Sequence, residues 1–306
     1  MDNAVNHTRR FDMERLALWL HQVKLPLSLA ICAATMTGFF LGPQPVSTAA
    51  MPLFFGILML SAGCAALNNY QDRHLDSRYE RTCQRPLPSG RIGPKPALGV
   101  AVLLIGIGLA ELSLTHAAAG FFGFSGMCCY NFLYTPLKRK TIWALLPGVV
   151  CGMLPPLIGW VTAGGSPFRL EIVLLMALFA VWQIPHFWLL ILSHDDEFSG
   201  KAPFKSANRL ATMQIERILM VWISCLGTLI LCLPLAGLIR TPWIIATLLA
   251  ITTVMTVSFL YTFLKSGLKS RSQGLFIILN STVFLCLTLM ATDRLSIVFG
   301  VLIATQ

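Results

Sequence analysis

ILMVWISCLGTLILCLPLAGL, residues 218–238, runs for 21 positions without a charged side chain. As an α-helix it is about 30 Å long at 1.5 Å per residue, the thickness of a bilayer's hydrocarbon core. In lipid, a helix also satisfies every backbone polar group within its own segment. Eight similar apolar runs flank it: Leu25–Leu41, Met51–Asn69, Pro96–Leu114, Ala117–Tyr134, Ile142–Ala163, Leu170–Ser193, Trp243–Leu264 and Leu275–Thr292. A shorter apolar tail, Leu295–Ala304, follows the last of them. Composition agrees, with 56% hydrophobic and only 12% charged residues, about half the charge of a soluble domain. The expected fold class is all-α: a polytopic membrane protein of about nine transmembrane helices around a central cavity. A single domain over residues 1–306 is expected, with residues 1–20 as an N-terminal segment.

The basic residues assign a side to each loop. Arg9, Arg10, Arg15 and Lys24 precede the first span, and Arg73, Arg78, Arg81, Arg85, Arg91 and Lys95 follow the second. Lys138, Arg139 and Lys140 follow the fourth, Lys201, Lys205, Arg209 and Arg217 the sixth, and Lys265, Lys269 and Arg271 the eighth. That leaves only Arg169, Arg240 and Arg294 of the 23 basic residues for the other side. Basic loops stay in the cytoplasm, so the N-terminus is expected inside and the C-terminus outside. The formal charge of +10 thus reflects topology and not nucleic-acid binding. The N-terminal arginines resemble a signal-peptide n-region, but no A-x-A-like cleavage site follows, so the first span is expected to stay as an anchor. Most of the nine cysteines sit inside spans and none forms a C-x-x-C pair, the pattern of small apolar fillers.

Acids are scarce, so their positions carry information. Asn68, Asp72 and Asp76 are spaced i, i+4, i+8, which on a helix leaving the second span puts all three on one face. Three oxygen-bearing side chains in a row suit Mg²⁺, a hard cation that binds through one or two carboxylates plus phosphate oxygens. Arg81 and Arg85 in the following loop would take the remaining phosphate charge. A solvated loop with acids paired to nearby arginines is the plainer reading. It fits less well because polar side chains at the emerging end of an apolar span are costly and usually functional. A second acidic cluster, Asp195-Asp196-Glu197, follows the sixth span with Lys201 close behind. Two acidic clusters on one side of the membrane could clamp a diphosphate through Mg²⁺, with Lys138 and Arg139 adding charge.

Asn68-x3-Asp72-x3-Asp76 with Arg85-Pro86-Leu87-Pro88-Ser89-Gly90-Arg91 resembles the first aspartate motif of the UbiA superfamily of intramembrane prenyltransferases. Within it, the chain is most similar to the protohaem IX farnesyltransferases. The supporting stretches include Asn68-Asn69-Tyr70-Gln71-Asp72-Arg73, Tyr134-Thr135-Pro136-Leu137-Lys138-Arg139, Leu154-Pro155-Pro156-Leu157-Ile158-Gly159-Trp160 and Trp182-Gln183-Ile184-Pro185-His186-Phe187-Trp188. Asp195-Asp196 matches the start of the second acidic motif. The likeness covers roughly residues 20–292. The chain departs from the family where Lys24-Leu25-Pro26-Leu27 replaces Lys-Pro-Arg, and where Glu197 replaces a tyrosine.

The resemblance implies a Mg²⁺-dependent enzyme of a bacterial plasma membrane. It would transfer a farnesyl group from farnesyl diphosphate to a vinyl group of haem b. Asp72, Asp76, Asp195 and Asp196 would be catalytic, and with Asn68 would hold the metal. Asn68, Arg81, Arg85, Lys138, Arg139 and Lys201 would bind diphosphate. The family also suggests haem A synthase or a terminal-oxidase assembly as a partner. His186, in mid-span, is either a group for the haem iron or a histidine bonded to a carbonyl freed by Pro185. Pro155-Pro156 is expected to break the fifth span near mid-membrane.

Two other readings compete. A related prenyltransferase acting on a quinone precursor such as 4-hydroxybenzoate would share the diphosphate site, but usually reads Asn-Asp where this chain has Asn68-Asn69. A transporter would place charges between broken helices at the midplane, whereas here only Glu111 lies deep in a span.

Overall fold

The computed structural model describes residues 13–193 and 212–304, and every regular element among them is helical. In chain order these are α1 (Met13–Gln22), α2 (Leu25–Leu41), α3 (Ala50–Asp76), α4 (Glu80–Cys83), α5 (Pro94–Thr115) and α6 (Ala117–Met127). A π-helical segment, Cys128–Tyr134, joins α6 to α7 (Thr135–Leu137). There follow α8 (Leu145–Thr162), α9 (Leu170–Ser193), α10 (Thr212–Leu235), α11 (Pro242–Ser266) and α12 (Ser272–Ala304). Among the described residues seven helices are long and apolar enough to cross a membrane, and the pair α1–α2, bent by 55°, makes an eighth candidate span. The chain is a multi-pass integral membrane protein.

The expected span Ala117–Tyr134 is helical throughout, divided by its π turns into pieces of 11 and 7 residues, each too short to cross a membrane alone. Two expectations are corrected. The fifth span does not break at its prolines: α8 runs without interruption from Leu145 to Thr162 with Pro155 and Pro156 inside it. Proline's fixed φ is itself helical, so the pair removes two ladder hydrogen bonds while the backbone on both sides stays helical. Nor does the final apolar tail stand apart. Residues 275–299 contain neither glycine nor proline, nothing ends the helix, and α12 continues through them to Ala304.

Contacts follow chain order around a closed ring: α3 on α5, α5 on α6, α6 on α8, α8 on α9, α9 on α10, α10 on α11, α11 on α12, α12 back on α2, and α2 on α3. Cross-contacts between α2 and α8, and between α9 and α12, tie the ring together. Lipid is as apolar as leucine, so close van der Waals packing must hold such helices together. At the α2–α8 crossing a Cβ on Gly159 would lie 1.8 Å from the Thr35 carbonyl oxygen, and one on Gly38 would lie 2.0 Å from that of Pro156. Only glycine permits this approach. It fixes α2, and hence the bend that precedes it, against the wall formed by α8.

Candidate active site

The apolar part of α3 ends near Leu67, but the helix continues for more than two further turns to Asp76. Asn68, Asp72 and Asp76 therefore emerge on one face, as their spacing predicts, and all three are buried. The burial comes from two neighbouring segments. One is the π-helical turn, where the Thr135 hydroxyl donates to the Tyr130 carbonyl at 2.8 Å and accepts from Asn68 Nδ2 at 3.0 Å. Asn131, fully buried in the same turn, donates through Nδ2 to the Cys64 carbonyl at 3.0 Å, and its own carbonyl accepts from Gln71 Nε2 at 3.0 Å. Such π turns often mark functional positions; this one aims the chain that follows it, Lys138 and Arg139, at α3.

The second segment is the bend between α1 and α2. Lys24, with φ 50°, is the one described non-glycine residue in the left-handed region, a conformation that costs about 1–2 kcal/mol. It turns the ammonium inward, where Nζ donates to Asn68 Oδ1 at 2.8 Å. Burial, with Lys138 and Arg85 close by, pushes its pKa down to about 7.

Asp72 is the hub. Its Oδ2 accepts from Lys138 Nζ at 2.5 Å and from Asn68 Nδ2 at 3.0 Å, while Oδ1 accepts from Arg139 Nη2 at 2.6 Å and Nε at 3.1 Å. One turn on, Asp76 Oδ2 accepts from Arg85 Nη1 at 2.8 Å. Three cations (Arg85, Lys138 and Arg139) and the Lys24 amine thus surround two carboxylates. The surplus of positive charge is what a polyanion would neutralise. The stacked Tyr130 and Tyr134 rings, 5.7 Å apart, adjoin the cluster, with Lys138 Nζ 5.5 Å from the Tyr134 centroid.

A model of the UbiA prenyltransferase family matches residues 29–281. The chain belongs to this family. A curated relative, the protoheme IX farnesyltransferase of Geobacter sulfurreducens, is 38% identical over 240 residues, covering 76% of this chain and 87% of that protein. A solved structure of digeranylgeranylglyceryl phosphate synthase superposes with a TM-score of 0.70 at 15% identity, over 92% of this chain and 99% of its own. A UbiA homologue from Archaeoglobus fulgidus bound to GPP and Mg²⁺ superposes with a TM-score of 0.59 at 15% identity, over 90% and 99%. At such identities these two likenesses are of fold alone.

In this UbiA-family chain the structure brings together Asn68, Asp72, Asp76, Arg85, Lys138 and Arg139. Arg81 lies exposed on α4. Asp195, Asp196 and Lys201 lie outside the described residues. His186 stands apart in α9, its Nδ1 2.9 Å from Asn280 Oδ1 on α12, so its partner is a side chain and not a carbonyl freed by Pro185. Sequence reasoning missed Lys24 as a site residue and gave Thr135 no role of its own. The one available hint for Lys24 was a lysine set directly against an apolar span. Among the described residues no three His, Cys, Asp or Glu side chains gather as a metal cage. The oxygen donors of Asn68, Asp72 and Asp76, aligned beside the cations, nonetheless fit Mg²⁺ held jointly with phosphate oxygens, since that ion needs few protein ligands.

Proposed function

We propose that this chain is a prenyltransferase that transfers a farnesyl group from farnesyl diphosphate to a vinyl group of haem b, giving haem O. The observation that supports this most is the buried hub at Asp72, where cations in excess await a diphosphate at the mouth of a membrane-embedded bundle. The name of the Geobacter sulfurreducens relative, at 38% identity, supports haem as acceptor over a quinone precursor. The reading takes the chain as one prenyltransferase domain over residues 1–306. Its N-terminus and the loops after α3 and α7 lie in the cytoplasm, in a bacterial inner membrane.

Asn68, Asp72 and Asp76, together with Asp195 and Asp196, would hold Mg²⁺, which when bound draws negative charge from the leaving diphosphate. Lys24, Arg81, Arg85, Lys138, Arg139 and Lys201 would bind its phosphate oxygens, and four of them, Lys24, Arg85, Lys138 and Arg139, already stand around Asn68, Asp72 and Asp76. The C–O bond to the farnesyl C1 breaks with its electrons leaving on diphosphate. The terminal vinyl carbon attacks C1, and water adds at the adjacent carbon and loses a proton to form the hydroxyethylfarnesyl group. The faces of Tyr130 and Tyr134 favour the allylic cation near the cluster, and the surrounding helices exclude stray water until attack. His186 is the candidate iron ligand. The product would pass within the bilayer to a haem A synthase or terminal oxidase.

The test is turnover in proteoliposomes carrying haem b and farnesyl diphosphate. Loss of the vinyl group shifts the pyridine haemochrome band to shorter wavelength. That shift should require Mg²⁺ and vanish with EDTA; a band that stays put under both conditions contradicts the proposal.

A further inference from the structure

The His186–Asn280 pair joins two helices, α9 and α12, within their membrane-spanning lengths. The orientation of the asparagine amide is settled by its second contact. Asn280 Nδ2 donates to the Phe276 carbonyl at 2.6 Å, an acceptor that admits only the amino end of the amide. Oδ1 therefore faces His186, 2.9 Å from Nδ1. An amide oxygen only accepts, so Nδ1 must carry the proton, and in the neutral ring Nε2 is left with a bare lone pair. The ring is also held on its faces. Trp182 lies 4.8 Å away at 57° and Phe276 4.8 Å away at 46°. Nε2 makes no hydrogen bond among the described residues. On the neighbouring ring, Trp182 Nε1 is buried with no acceptor among the described residues, an arrangement that costs about 1–3 kcal/mol if nothing meets it. One free lone pair and one free donor on two rings in contact suit a metal-bearing ligand that also carries oxygen.

We infer that Asn280 is the positioning residue of the haem subsite: it fixes the His186 tautomer so that Nε2 is the atom offered to the iron. The inference rests on the reading of haem as the acceptor. A metal-ligating histidine almost always gives its other N–H to a partner that sets the ring's orientation and basicity. The choice of asparagine is informative. A carboxylate would pull the Nδ1 proton and make the imidazole a stronger donor. A neutral amide orients the ring without strengthening it. That suits a substrate which must leave as product, rather than a cofactor which must stay.

The experiment uses the full-length protein in nanodiscs with ferrous haem b, reading haem affinity and the Fe–histidine stretch by resonance Raman. Asn280→Leu should weaken haem binding about 10- to 100-fold and lower the stretching frequency. Asn280→Asp should raise the frequency, tighten ferric haem binding and slow release of haem O. His186→Ala should abolish the band. Binding of farnesyl thiodiphosphate, unchanged in all three, reports that each variant is folded, and the aspartate variant keeps the test decisive if the leucine variant is not. If both Asn280 variants keep the wild-type affinity and frequency while His186→Ala loses the band, Asn280 is mere packing and the inference falls with the haem reading intact. If wild-type protein binds no haem, it is the haem reading itself that has failed.

Discussion

Replacing Asp72 by asparagine separates the two tasks assigned to the diphosphate cluster. The carboxylate is 5% exposed, while its partners Lys138 and Arg139 are 24% and 36% exposed. Breaking a fully buried pair costs about 3–5 kcal/mol, but solvent reaches these cations, so a loss of about 1–2 kcal/mol in stability is expected. The protein should stay folded. Binding should change in two opposite directions. Without metal, removing one negative charge about 5 Å from a diphosphate is worth about 3 kcal/mol at an effective dielectric of 20. Physiological salt cuts that to about 1–2 kcal/mol, or roughly five- to thirtyfold tighter binding. Lys138 and Arg139, released from Asp72, are free to contact phosphate. With Mg²⁺ the gain should disappear, because a metal ligand is gone, and turnover should fall by about three orders of magnitude. The assay is equilibrium binding of non-cleavable farnesyl thiodiphosphate in EDTA and in Mg²⁺, alongside turnover. Weaker binding in EDTA, or an undiminished response to Mg²⁺, refutes the assignment of Asp72 as the metal-facing hub.

Other consequences can be checked separately. Reporter fusions after Arg91, Lys140 and Arg209 should read cytoplasmic and one at Gln306 outside; a cytoplasmic C-terminus would overturn the orientation. Gly159→Ala should cost at least about 3 kcal/mol, since its methyl would stand 1.8 Å from the Thr35 carbonyl oxygen; a thermal midpoint in detergent equal to wild type would contradict that packing. Lys24, held down to about 7 by burial, should regain its proton beside a bound diphosphate. Affinity should then fall as pH rises from about 7 to 9, and Lys24→Arg, always charged, should flatten the slope. An unchanged slope in that variant removes Lys24 from the binding site.

What could be read from the sequence was local. The spans follow from uninterrupted apolar runs, and the shared face of Asn68, Asp72 and Asp76 follows from helical geometry alone. Lys138 and Arg139 could be assigned to the right side but not to Asp72, which lies more than sixty residues away along the chain. Lys24 reaches Asn68 only because its backbone turns left-handed, a state that no propensity of lysine announces. The π turn that aims Thr135 has no periodic signature either. His186 was visible as a costly polar group in an apolar span, but nothing in the sequence pattern ties it to Asn280, on another helix 94 positions on. The continuity of α8 through Pro155 and Pro156 was misjudged because a proline's effect depends on whether its neighbours supply packing around the lost hydrogen bonds.

The most direct measurement offers purified protein haem b and 4-hydroxybenzoate together, with Mg²⁺ and farnesyl diphosphate, and weighs the products. The account predicts a haem product heavier by one farnesyl group and one hydroxyl, with the benzoate unchanged. A farnesylated benzoate beside untouched haem would contradict it.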